Sequence, residues 1–125
     1  LPDRMLFHSY AGPVDFIKIL SAQGGYFSFN GVVLDSKHRR SREAIHAVPK
    51  DRLLLETDSP DLIAPVPYRL YAKPINERFT RNEPANLECI YKGVAQLLGI
   101  DQNKLEKQIF ENTKSFLAGV NLDER

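Results

Sequence analysis

The residues best equipped for chemistry stand where short apolar runs stop. Leu53-Leu54-Leu55 ends abruptly in Glu56-Thr57-Asp58 and is halted by Ser59-Pro60, and Met5-Leu6-Phe7 stops at His8. Runs of this length bounded by turn residues fit strands buried on both faces, as in a parallel sheet. Asp58 then follows a strand's carboxyl end, where open α/β sheets and (β/α)8 barrels place their chemistry. A carboxylate there needs something positive to meet it. His and Asp at neighbouring strand ends can ligate a divalent metal, form a proton-transfer pair, or share a structural hydrogen bond. A metal site takes about four ligands, so these two alone do not complete one.

The remaining chemistry-bearing residues have plainer readings. His38 and His46 fall on a charged helix face, Asn30 on a turn, and Cys89 one position before Ile90 on a packed helix, as a small packing residue. The basic segment from Lys37 to Arg52 reads as a solvated helix face before it reads as a phosphate contact. Tyr68, Arg69, Tyr71, Lys73, Arg78, Phe79 and Arg81 interleave cations with aromatics. That pattern fits a nucleic-acid contact surface, and equally an exposed loop with snorkelling side chains. There is no glycine-rich phosphate loop, Cys-x-x-Cys pair or nucleophile elbow.

The elements that must position these residues alternate regularly. After His8, Pro13 suits a first helical position, Val14, Ile17 and Leu20 make an inner stripe, and Gly24-Gly25 ends the helix. Tyr26 to Asn30 is an aromatic-rich strand closed by Asn30-Gly31. Ser36 caps a second helix running through Val48, with Ala44, Ile45 and Val48 inward and Lys37, Arg39, Arg40 and Arg42 outward. The Leu53 strand follows. Strand, helix, strand, helix, strand with short connections predicts right-handed crossovers and a parallel sheet, with His8, Asn30 and Asp58 converging on one edge. A polar loop follows from about Asp61 to Asn82, too long to be a mere connector. Glu83-Pro84 opens a helix with Leu87, Ile90, Tyr91, Val94, Leu97 and Leu98 on its apolar stripe, ended by Gly99. Asp101 caps a last helix with Leu105, Ile109, Phe116 and Leu117 inward.

Composition bounds the reading. The 125 residues suffice for a single domain, 1–125, with a real core, and 42% hydrophobic and 26% charged residues are ordinary for a globular protein. A net charge of +1 gives no global case for nucleic acid or membrane. No run reaches the roughly 18 to 20 apolar residues that span a bilayer. One cysteine fits a reducing compartment, cytoplasmic or nuclear. Leu1-Pro2-Asp3-Arg4 has neither an initiator Met nor a signal-peptide profile, so the chain is expected to begin inside a larger fold.

Taken together, His8-Ser9-Tyr10-Ala11-Gly12, Tyr26-Phe27-Ser28-Phe29-Asn30-Gly31 and Asp51 through Pro60 resemble the TatD family of metal-dependent deoxyribonucleases. Ala64-Pro65-Val66-Pro67, Arg81-Asn82-Glu83-Pro84 and Asn112 continue the likeness, which runs from about Met5 to Leu117. The resemblance implies the last three βα units of a (β/α)8 barrel of the metal-dependent hydrolase type, with C-terminal helices. It implies hydrolysis of DNA phosphodiesters by water activated on a divalent Mg, Mn or Zn ion. His8 and Asp58 would be metal ligands, Asp58 also the catalytic proton acceptor, and Glu56 a support behind them. With DNA as substrate, the interleaved loop offers Arg69, Arg78 and Arg81 as its contacts, while the resemblance itself assigns no role to Arg81, Asn82 or Asn112.

The family's other ligands, a His-x-His pair after the first strand, a glutamate after the fourth and a histidine after the fifth, lie in segments this sequence does not contain. The insertion from Tyr68 to Thr80 is longer than in bacterial members. A full barrel takes about 250 residues, and three βα units cannot close one. The first strand is therefore expected to show an unpaired edge and the sheet an uncovered apolar face. The expectation is a fragment or truncated gene product of an active nuclease. The alternative is an inactive half-barrel remnant that binds nucleic acid, or that pairs through its open edge as a homodimer or with a complementary chain.

Overall fold

A computed structural model describes residues 3–118; Leu1 and Pro2 of the amino-terminal segment considered above lie outside them. Three short strands, β1 (Met5–Phe7), β2 (Gly25–Phe29) and β3 (Leu53–Leu55), pair in parallel in that order. The register sets Phe7 beside Phe27 and Phe27 beside Leu53, and one step on Phe29 beside Leu55. These side chains share the sheet face on which the helices lie. The helices are α1 (Val14–Ala22), α2 (Arg39–Ala47), α3 (Leu87–Leu98) and α4 (Gln102–Leu117). Ile17, Ile45, Ile90, Val94, Leu105 and Ile109 meet Phe27, Phe29 and Leu53 in one apolar cluster. The architecture is the partial α/β barrel expected.

Individual stripes differ from expectation for geometric reasons. A row spaced by three residues drifts about 60° per step around a helix of 3.6 residues per turn. Only the central Ile17 of α1 is therefore buried, while Val14 is exposed and Leu20 half-buried. On α4 the true stripe is Leu105, Ile109, Asn112 and Phe116, spaced 4, 3 and 4; Leu117, expected inward, faces solvent about 100° further round. Helix α2 starts later than Ser36. The Asp35 carboxylate accepts from Lys37 N at 2.9 Å, turning the chain first, and His38 becomes the N-cap residue. Lys37 and His38 are thus outside the helix. Arg42, expected outward, reaches back to the Val33 carbonyl at 3.4 Å.

The long polar segment also carries structure. Ala72–Pro74 (β4) and Thr80–Asn82 (β5) form an antiparallel hairpin, closed by an Asn76 side chain that accepts from Arg78 N and Phe79 N, both at 2.9 Å. Pro84–Asn86 makes one tight turn before α3, which ends at Gly99 in left-handed conformation (φ 66°). Asp101 caps α4 by accepting from Lys104 N at 3.1 Å.

The second sheet face is less bare than anticipated. Phe116 packs edge-on against Tyr26, ring centres 5.3 Å apart, and the Arg52 guanidinium lies 4.8 Å over the same ring. Tyr26, Ser28 and Leu54 are buried, whereas Leu6 is exposed. Among the described residues, the outer edges of β1 and β3 pair with no further strand. Leu6 on β1 is exposed, as are Phe16 and Ile19 on α1, the helix that packs against β2 and α2.

Asn112 fastens the start of β3. Its amide donates to the carbonyls of Lys50 (2.7 Å) and Leu53 (2.8 Å), and its Oδ1 accepts from Gln108 Nε2 at 2.8 Å. The main-chain groups entering the strand thereby find partners that the three-stranded ladder does not supply.

Candidate metal centre

Parallel register brings the carboxyl ends of all three strands together. His8, Asn30 and Glu56 each follow the last residue of their strand. Strand alternation therefore turns all three to the face opposite Phe7, Phe29 and Leu55. The ladder runs slightly past the strands: Tyr10 N donates to Ser28 O and Glu56 N to Phe29 O, both at 3.0 Å. These bonds hold the first residues of each connecting loop in place. Ser9 and Asp58 then take left-handed backbone conformations, φ 49° and 53°. Asp is among the few non-glycine residues that enter this region readily. The turn at Asp58 swings its carboxylate back over the strand end toward His8.

The three side chains meet closely. His8 Nδ1 lies 2.7 Å from Glu56 Oε2, and His8 Nε2 lies 3.2 Å from Asp58 Oδ1. Glu56 Oε1 also accepts from Ser9 N at 3.0 Å, and Asp58 Oδ2 accepts from Asn30 Nδ2 at 2.7 Å. The Glu56 and Asp58 side chains are only 17% and 16% exposed, and each has found the donors that burial demands, whereas His8 is 60% exposed. One nitrogen or oxygen from each of the three lies within 4.8 Å of the others.

This donor set fits a divalent ion. A proton on Nδ1, given to the Glu56 carboxylate, would leave the Nε2 lone pair facing Asp58, the usual arrangement for a ligating histidine. The 3.2 Å between Nε2 and Asp58 Oδ1 is close to the roughly 3.3 Å between neighbouring ligands of a tetrahedral ion bound at about 2.0–2.1 Å. His8 and Asp58 are thus suited as ligands, and Glu56 as the group that aims His8. Nearby, burial pushes the Tyr10 hydroxyl's pKa up, and the hydroxyl donates to Pro13 O at 2.7 Å.

The cationic residues of the long segment lie elsewhere in the hydrogen-bond map. Arg69 is half-buried, Arg78 sits at the hairpin tip, and Arg81 on β5 pairs with Glu83 at 3.4 Å. Among the described residues, no ion pair or hydrogen bond joins any of them to His8, Glu56 or Asp58.

Two asparagines whose roles the sequence did not reveal support the site. Asn82 Nδ2 donates to the carbonyls of Thr57 and Asp61, both at 2.8 Å, clasping the turn that carries Asp58 from either side. Its main-chain N–H donates to Pro60 O at 2.8 Å. Asn86 donates to Asn82 Oδ1 at 2.9 Å and accepts from the N–H groups of Leu70 and Tyr71. Asn30 is a turn residue as expected, since Val32 N donates to its Oδ1 at 3.0 Å, and it is also the partner of Asp58. Gly31 beside it has no room for a side chain: a Cβ there would lie 2.5 Å from that of Ala64, in the loop following Asp58.

The chain is similar to known proteins over most of its length. Residues 1–118 match the family described as TatD related DNase. "Deoxyribonuclease Tat-D" of Schizosaccharomyces pombe is 31% identical over 94% of this chain and 42% of its own length. An uncharacterized metal-dependent hydrolase of Buchnera aphidicola is 35% identical over 94% of this chain and 39% of its own. The chain thus spans about two fifths of the length of these relatives. A crystal structure of a TatD family hydrolase from Entamoeba histolytica superposes with a TM-score of 0.71 at 18% identity, over 89% of this chain and 41% of that one. At that identity the likeness speaks for the fold.

Proposed function

The chain belongs to the TatD related DNase family, and from that premise we propose that it contributes His8 and Asp58 as ligands to the metal centre of a DNA phosphodiesterase. The observation that carries this reading is the ring of His8 held at Nδ1 by Glu56 while Nε2 faces Asp58 at 3.2 Å. A divalent Mg, Mn or Zn ion held there supplies Lewis acidity, acidifying water and neutralising phosphate oxygens. Asp58 stands where it can accept a proton from the attacking water. Glu56 keeps the His8 ring oriented throughout. Tyr68, Tyr71 and Phe79 offer stacking faces to unpaired bases, and Arg69, Arg78 and Arg81 offer charge to the backbone. The purified chain is expected to take up Mn2+ and to cleave single-stranded DNA in a reaction stopped by a chelator. Absence of both metal uptake and cleavage sinks the reading. Neutralising the three arginines is expected to weaken DNA binding at low salt by about tenfold or more, since each phosphate contact adds to the salt-dependent affinity. Binding that survives the triple variant removes this segment from the interface.

A second reading concerns assembly, and exposed Leu6 on the unpaired β1 edge, with exposed Phe16 and Ile19 on α1, favours it. An open parallel edge and exposed apolar side chains invite pairing. The chain is expected to associate with a second copy or a complementary chain there. Alone, it should sediment as a dimer at micromolar concentration and return to monomer in a Phe16→Asp, Ile19→Asp variant. A wild-type chain that sediments as a compact monomer rules out self-association.

A further inference from the structure

Asn30 is buried, and its side-chain amide is fully committed. The two hydrogens of Nδ2 go to Ser9 Oγ at 2.8 Å and Asp58 Oδ2 at 2.7 Å, and Oδ1 accepts from Val32 N at 3.0 Å. Turning the amide over would set its oxygen against the Asp58 carboxylate and its NH2 against the Val32 N–H, so only one orientation satisfies every partner. The donor that faces Asp58 is therefore fixed by an environment outside the metal ligands. Asp58 itself sits on a left-handed turn.

We infer that Asn30 is the positioning residue for Asp58: it occupies Oδ2, leaving Oδ1 alone to face His8 Nε2, so that Asp58 binds an ion through one oxygen. This inference rests on the metal reading above and adds a selectivity to it. Ca2+ takes six to eight oxygens and binds carboxylates through one oxygen or both, whereas Mn2+ and Zn2+ are satisfied with fewer ligands and with imidazole nitrogen. A carboxylate limited to one oxygen, beside an imidazole, offers Ca2+ one oxygen ligand fewer.

Asn30→Ser separates this role from turn formation. The serine hydroxyl can still accept from Val32 N, as short polar side chains do locally, but it is too short to reach Asp58 as well. Mn2+ and Ca2+ titrations of the chain, with Asn30→Ser and Asn30→Ala, measure the consequence. Both variants are expected to weaken Mn2+ binding about tenfold or more, the usual effect of losing a group that orients a ligand. The ratio of Mn2+ to Ca2+ affinity should fall with it. Metal-free nitrogen NMR of the His8 ring gives an independent readout, because loss of the Asn30 bond lets Asp58 leave Nε2. His8 ring signals and an ion ratio unchanged in Asn30→Ser overturn the proposal. If the wild-type chain binds neither ion, the metal reading fails. Ring signals that shift in Asn30→Ser then still support the positioning of Asp58, and unchanged ones overturn it. Should Asn30→Ala not fold, Asn30→Ser with its turn bond retained decides the question.

Discussion

Asp58→Asn is expected to lower metal-dependent cleavage by roughly two to three orders of magnitude, the scale on which removing one preorganised charge-stabilising group acts. The substitution is sterically mild: Asn keeps the side-chain size and, like Asp, tolerates the left-handed φ of 53° at this turn. What changes is charge and donor pattern. The new NH2 must face either Asn30 Nδ2, which is itself a donor, or the side of His8 where Asp58 Oδ1 now stands. Mn2+ uptake should fall together with kcat/KM for single-stranded DNA, while the melting temperature changes little. A variant that keeps more than about a tenth of wild-type activity would remove Asp58 from the centre. Asp58→Glu, chemically closer, is the poorer experiment, because a longer side chain on a left-handed residue disturbs the turn as well as the charge.

Asn112→Ala should produce a large loss of stability for a change outside the apolar cluster. The amide serves two main-chain carbonyls, those of Lys50 and Leu53, from a side chain that is 2% exposed. A buried polar group left without its partner costs about 1–3 kcal/mol, so two carbonyls abandoned together amount to roughly 2–6 kcal/mol. Set against a total stability of about 5–15 kcal/mol, that is a large share, and the melting point should drop by about 10 °C or more. Asn112→Asp, with the same shape but no hydrogens to give, is expected to be at least as damaging. Thermal or urea unfolding decides the matter: a loss below about 1 kcal/mol would mean that water replaces the amide and that the clasp contributes little.

How much of this was legible in the residues depended on whether partners were near or far along the chain. The three strands were readable because each is a short apolar run cut off by His8, by Asn30-Gly31 or by Glu56-Thr57. Once they are parallel, His8, Glu56 and Asp58 are expected at one sheet edge, past the ends of their strands. Their contact was not legible, because β2 lies between β1 and β3 and a left-handed turn at Asp58 brings its carboxylate back toward His8. The buried asparagines were not legible either. Asn112 finds its partners 62 and 59 residues away and Asn82 finds Thr57 25 away, and no periodicity announces such bonds. The hairpin of the long segment escaped for the opposite reason: its strands are three residues each, largely exposed and interrupted by Pro74, so no alternation marks them. At the start of α2, Asp35 outcompeted Ser36 through a local side-chain bond that propensity alone does not rank.

The clasp made by Asn82 has a consequence for how such a protein can diversify. The chain leaves the Asp58 turn at Pro60 and Asp61 and comes back to the same two carbonyls at Asn82. The intervening stretch is thus closed at its base by Asn82, and its first half is fastened again by Ala64 against Gly31 and by Leu70 and Tyr71 on Asn86. The exposed hairpin beyond Tyr71 can grow at small entropic expense, because closing a loop costs only logarithmically more as residues are added, without moving the residue at position 58. The reactive groups and the surface that greets a substrate are, in this architecture, separately heritable.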